Sequence, residues 1–256
     1  MQIFRVLWRL CLLLPLIVVG LVSVGVVYPF ASQNRREWMN RLWSRALLRI
    51  CGLSVAVSGQ ALMSGPVLFV ANHVSWLDIF VMNAVRPTAF IAKSEIRRWP
   101  IVGWLVAGAG TVFIERGQRR AVGAVSVAMR ERFDRGAAVG LYPEGTTSDG
   151  LGLLPLHAGL FEPARLAGAP IQPLALIYAR QGDRRLFPAF VGEETLVSNV
   201  CRILGARGLT VQAHYMAPVG KGVDAPTAGG PDRIAIAASV RDAISRALQS
   251  PPGERA

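Results

Sequence analysis

The sequence predicts an α/β fold: a single mixed, largely parallel sheet covered by helices, preceded by an N-terminal hydrophobic membrane helix and an amphipathic helix. Three observations carry that prediction. Short continuous apolar runs alternate with helix-periodic segments through most of the chain, the pattern of strands buried on both faces and joined by helices. Polar clusters follow three of those runs directly, where sites form in such sheets. Residues Leu10 to Phe30 carry no charge, and as a helix they reach about 32 Å, roughly one hydrocarbon core.

In chain order, Arg5 and Arg9 precede the apolar run. It is longer than the core of a secretory signal, and Tyr28-Pro29-Phe30-Ala31-Ser32 is a poor cleavage site, so an uncleaved anchor is expected. Arg35, Arg36, Arg41, Arg45 and Arg49 follow it, which places the next domain in the cytoplasm by the positive-inside rule. Pro15 and Gly20 fit a bent, half-inserted helix as well as a full span. From Trp38 to Ile50 the apolar positions gather on half the helical wheel beside the arginines, and a lipid-facing role is preferred to ordinary packing. The expected organisation is residues 1–51 as anchor and basic amphipathic helix, 52–250 as catalytic domain and 251–256 as a frayed tail.

Strands are expected at Leu53–Val57, Val67–Ala71, Ala89–Ala92, Thr111–Ile114, Ala138–Tyr142, Ile171–Tyr178 and Leu209–Met216. Helices are expected at Trp76–Val85, Ile101–Ala107, Gln118–Phe133 and Asp232–Leu248. A hairpin-like turn is read around Asp183, and the Pro/Gly-rich stretch Val219–Pro231 as a loop.

Lys and Arg exceed Asp and Glu by 12 charges, which calls for an anionic partner. With 52% apolar residues and no nucleic-acid-binding motif, an anionic membrane surface is expected and nucleic acid is not. Cys11, Cys51 and Cys201 are odd in number and widely spaced, as are His73, His157 and His214, so neither disulfides nor a metal site is expected.

His73 ends an apolar strand, and Ser75 stands three residues before Asp78, a capping-box spacing with Ser75 as N-cap. Asp78 in the first helical turn would lean back on His73 and make it a general base. The alternative is a satisfied loop histidine beside a capping aspartate. Glu144 to Gly150 reads either as a backbone nest for an anion or as a surface turn. Arg116 reads as a phosphate ligand or as a solvated charge. No Gly-x-Ser-x-Gly elbow is present.

Asn72-His73-x4-Asp78, Phe113-Ile114-Glu115-Arg116, Tyr142-Pro143-Glu144-Gly145-Thr146 and Pro170-Ile171-Gln172-Pro173-Leu174 resemble, in order and spacing, the four motifs of the glycerolipid acyltransferases. The closest layout is the 1-acylglycerol-3-phosphate acyltransferase type. The resemblance spans Val67 to Leu176. It implies His73 as catalytic base and Asp78 as its orienter. It also implies Arg116, Glu144, Gly145 and Thr146 around a lysophospholipid acceptor, and Pro173 at the acyl or acceptor pocket. An acyl-CoA or acyl carrier protein thioester would be co-substrate, with no cofactor and no metal. Thr147 stands where the third motif commonly has arginine, which weakens the phosphate site and brings in lyso-ornithine lipid as the rival acceptor.

Overall fold

The computed structural model describes residues 1–114, 119–183, 187–219 and 232–250. Seven strands form one sheet: β1 (Leu53–Gly59), β2 (Val67–Ala71), β3 (Thr88–Lys93), β4 (Val112–Ile114), β5 (Ala138–Leu141), β6 (Ile171–Arg180) and β7 (Leu209–Tyr215). Their spatial order is β1-β7-β6-β2-β5-β3-β4. Every pairing is parallel except β6 with β7.

Strand pleating sends successive side chains to opposite faces, and the continuous apolar strands supply both. Val67, Phe69 and Ala71 of β2 join Leu174, Leu176 and Tyr178 of β6 in one core, with side chains from α1 (Gln2–Val22), α2 (Gln33–Cys51), α3 (Asp78–Val85) and α7 (Leu196–Gly205). Leu68 and Val70 join Ala175 and Ile177 in the other, under α5 (Arg119–Asp134), α6 (Glu162–Leu166) and α8 (Arg233–Gln249). Among the described residues α4 (Val102–Gly108), between β3 and β4, contributes no side chain to either core. The mixed, largely parallel sheet covered by helices is therefore the fold.

Several local expectations change. α1 begins at Gln2, well before the uncharged run, because Arg5 and Arg9 find partners. Arg5 donates to the Gly205 carbonyl, and Arg9 to Leu204 and Ala206 at 2.9 Å, so both guanidinium groups cap the end of α7. The continuous helical run Gln2–Phe30, of which α1 is the first part, is long and apolar enough to cross a membrane, yet Leu13 and Gly20 are buried against the domain. Its other flank, including Phe4, Leu7, Trp8, Leu14, Val18 and Val22, is exposed.

α2 turns most of its apolar stripe into the protein. Leu47, Leu48 and Cys51 are buried, and the Trp43 indole donates to the Leu16 carbonyl at 2.8 Å. Trp38 and Leu42 remain as large exposed apolar side chains, so the helix packs on the domain along most of its apolar stripe and leaves its first turns uncovered. The hairpin-like turn expected around Asp183 is present. A tight turn closes between Arg180 and Asp183, but β6 reaches its antiparallel partner β7 only after α7. The loop after Val219 and the 251–256 tail lie outside the described residues.

Candidate active site

β2, β5 and β3 run parallel, so the loops after them share the carboxyl edge of the sheet. His73 follows β2 there. Its Nδ1 lies 2.8 Å from Asp78 Oδ2. The same oxygen accepts the backbone N–H groups of Val74 at 2.7 Å and Ser75 at 3.0 Å. Oδ1 accepts the Tyr178 hydroxyl at 2.7 Å. Asp78 is fully buried, while the His73 side chain keeps 20% of its surface. With the Val74 and Ser75 N–H groups and the Tyr178 hydroxyl already donating to the carboxylate, the imidazole turns its Nδ1–H towards it as a fourth donor. Nε2 then has no hydrogen-bond partner among the described residues.

The capping-box expectation is half met. Asp78 reaches back to the Ser75 N–H as such an acid should, but the Ser75 hydroxyl accepts from Leu77 at 3.4 Å rather than from Asp78. α3 starts at Asp78 itself. The carboxylate therefore serves the loop and the histidine together.

The imidazole lies on the Tyr142 ring, with centroids 4.1 Å apart and planes at 14°, and Tyr142 stacks in turn on Phe90. Glu144 stands behind the histidine loop. One carboxylate oxygen accepts the His73 N–H at 2.7 Å, the other the Leu154 N–H at 2.9 Å. Burial pushes the Glu144 carboxyl above its ordinary range, opposed by the bonds from Leu154 and His73. Both oxygens are thus occupied by the protein, and Glu144 acts as a strut between two loops. Gly145 has φ 73°, the left-handed turn that lets the loop fold back. Thr146 is exposed at its tip. Ser148 donates its backbone N–H to the His73 carbonyl at 2.7 Å.

Thr147, at the position of the expected arginine, donates its hydroxyl to the Phe190 carbonyl. The Phe190 N–H in turn donates to the Val74 carbonyl at 2.9 Å. The segment before α7 thereby bridges the two loops that flank His73. Pro173 is buried in β6, paired with Val70. Its carbonyl accepts from Met216 just past the end of β7. Its missing N–H points the same way, beyond the last β7 residue, which is why a central strand tolerates it here. Pro173 thus stands at the carboxyl side of β2, in the strand that also carries Tyr178. Arg116 lies outside the described residues.

Tyr178 escaped the sequence reading. The available signal was the strand alternation from Leu174 through Leu176 to Tyr178, which puts its hydroxyl on the face that α3 covers. Burial, and then the charge of Asp78, hold the phenol well above its ordinary range, so it remains a donor. Among the described residues no cluster of His, Cys, Asp and Glu is arranged to hold a metal ion.

Residues 54–177 match the family model "Acyltransferase". A lyso-ornithine lipid O-acyltransferase of Pseudomonas aeruginosa is 36% identical over 251 residues, covering 95% of this chain and 93% of that protein. A 1-acyl-sn-glycerol-3-phosphate acyltransferase of Neisseria gonorrhoeae is 40% identical over 178 residues, 70% of this chain and 68% of its own length. The crystal structure of the 1-acyl-sn-glycerophosphate acyltransferase PlsC from Thermotoga maritima superposes with a TM-score of 0.63 at 20% identity, covering 96% of both chains, and so shares the fold. The buried acid–histidine pair at the sheet edge, the matched motifs and near full-length relatives lead to one conclusion: this chain belongs to the acyltransferase family that acts on lysolipids, and it is an enzyme of that family.

Proposed function

We propose that the enzyme transfers a fatty acyl group from a thioester, acyl-CoA or acyl carrier protein, to the free hydroxyl of a lysolipid, with His73 as general base. One observation carries this reading: Nδ1 is engaged by a buried, four-fold coordinated Asp78, which leaves Nε2 open at the sheet edge. Nε2 removes the hydroxyl proton as the oxygen attacks the thioester carbonyl carbon. The tetrahedral adduct expels the thiolate, which receives that proton from Nε2, while Asp78 stabilises the transient imidazolium. The exposed Thr146, whose backbone N–H has no partner among the described residues, is the proposed donor to the oxyanion. Gly145 shapes that turn, Glu144 fixes it to His73, Pro173 borders the acyl or acceptor pocket, and Arg116 meets the head group. No cofactor enters beyond the thioester. The apolar flank of α1 holds the enzyme on the bacterial inner membrane, with the catalytic domain on the cytoplasmic face.

The acceptor supported best is a lyso-ornithine lipid. Thr147 replaces a guanidinium and gives its hydroxyl to Phe190, and a relative matching nearly end to end carries that acceptor in its name. A second reading, 1-acylglycerol 3-phosphate as acceptor and phosphatidic acid as product, is favoured by the more identical but shorter Neisseria match. Membranes bearing the enzyme are to be assayed with both acceptors and both thioester classes. His73→Ala should lower turnover by about 10²- to 10⁴-fold without loss of fold. Full activity in that variant overturns the mechanism, and a preference for 1-acylglycerol 3-phosphate overturns the first acceptor assignment.

A further inference from the structure

We propose that residues 97–104 form a second lipid-contacting surface, separate from α1, that seats the carboxyl edge of the sheet on an anionic bilayer. Arg97, Arg98, Trp99, Pro100 and Ile101 are exposed in unbroken succession between β3 and α4. Trp99 keeps 43% of its surface, Ile101 50% and Trp104 65%. Large apolar side chains clustered at one tip mark a surface that something covers.

The backbone presents them deliberately. Ile101 has φ 64° and ψ −60°, closed by the Val102 N–H on the Pro100 carbonyl at 2.6 Å. This three-residue turn is strained for a β-branched residue and would ordinarily be filled by glycine. The chain instead puts an apolar side chain there, pointing outward. Two guanidinium groups beside two indoles match the chemistry of a head-group layer. Arg97 rests on the Phe113 ring at 5.8 Å.

Continuity identifies the occupant. A Cβ on Gly108 of α4 would collide with Val24, and one on Gly20 of α1 would meet Leu105 of α4. The tip is thus joined to the end of the apolar helix whose Val18, Val22 and Val26 are exposed. It also leaves the sheet at the same edge as His73. A bilayer touching both would lie against the mouth of the site.

The consequence for turnover rests on the membrane-acceptor reading above; the contact itself does not. In full-length protein with its three cysteines replaced, Trp104→Cys carries a nitroxide, and Val127→Cys, exposed on α5, is the reference. In phosphatidylethanolamine–phosphatidylglycerol vesicles the label at 104 should become accessible to oxygen and shielded from an aqueous nickel chelate, while that at 127 stays in water. Trp99→Ser/Trp104→Ser should lose about tenfold in turnover of vesicle-borne acceptor and match wild type on a short-chain acceptor dissolved as monomer. Equal water access at 104 and 127 overturns the proposal. So does shielding that appears only with added acyl carrier protein or with rising enzyme concentration, since either indicates a protein partner. Absence of turnover on every acceptor removes the function proposed above, and the labels still decide the contact.

Discussion

Asp78 shows how one buried charge is made to serve several ends. Its two oxygens fix a loop through Val74 and Ser75, a strand through Tyr178 and a base through His73. Tyr178→Phe leaves Oδ1 buried and unpaired. The fold should lose about 1–3 kcal/mol, and turnover should fall with the acceptor KM unchanged, as thermal melts and steady-state kinetics would record. Glu144 gives a pH signature. Its carboxyl is raised in the fold, so the native state binds the extra proton between the ordinary carboxylate range and that raised value. Stability from this group therefore increases as pH falls through the native pKa and is lost again on raising the pH. The melting temperature of wild type relative to Glu144→Gln should rise as the pH falls from neutral towards the ordinary carboxylate range. His73 and Asp78 were legible from sequence because they are near neighbours in one motif. Tyr178, a hundred residues on, was not, because only the β2–β6 pairing and α3 bring it there.

Strands were readable because burial on both faces leaves uninterrupted apolar runs, and β2 and β4 end where those runs end. Helices were less so where tertiary contacts override composition. The aromatic and basic wheel of α2 is also what a helix wedged between α1 and α3 requires, with Trp43 on Leu16 and Arg45 on the Ala84 carbonyl. α7 was missed although Thr195 caps it by accepting from the Ser198 N–H at 3.2 Å. At this scale the α1–α4 contact is testable. Gly20→Leu would drive a side chain into Leu105 and Trp43, and overpacking of that kind should cost about 1–3 kcal/mol. A lowered melting temperature with changed Trp43 emission is the expected result.

For the molecule as a whole, orientation on the membrane is accessible through its thiols. Burial pushes the Cys51 thiol up to about 12, so it should not react. Cys11 lies on α1 and Cys201 is exposed on α7. A membrane-impermeant maleimide should modify Cys201 in inverted inner-membrane vesicles and leave it untouched in intact cells, which mass spectrometry of the peptides would show. Labelling from outside would overturn the proposed orientation.

The position of β1 has a consequence for biosynthesis. Among the described residues β1 is the earliest strand in the chain, yet the strand it pairs with is β7, the latest. Arg5 and Arg9 likewise wait for the carbonyls that end α7. Until translation is almost finished, an apolar helix and an unpaired strand edge must stay out of trouble, and such nonlocal closure is slow and prone to aggregation. Early capture of α1 by the bilayer would shelter that helix and hold the nascent chain beside the surface where its enzyme will work.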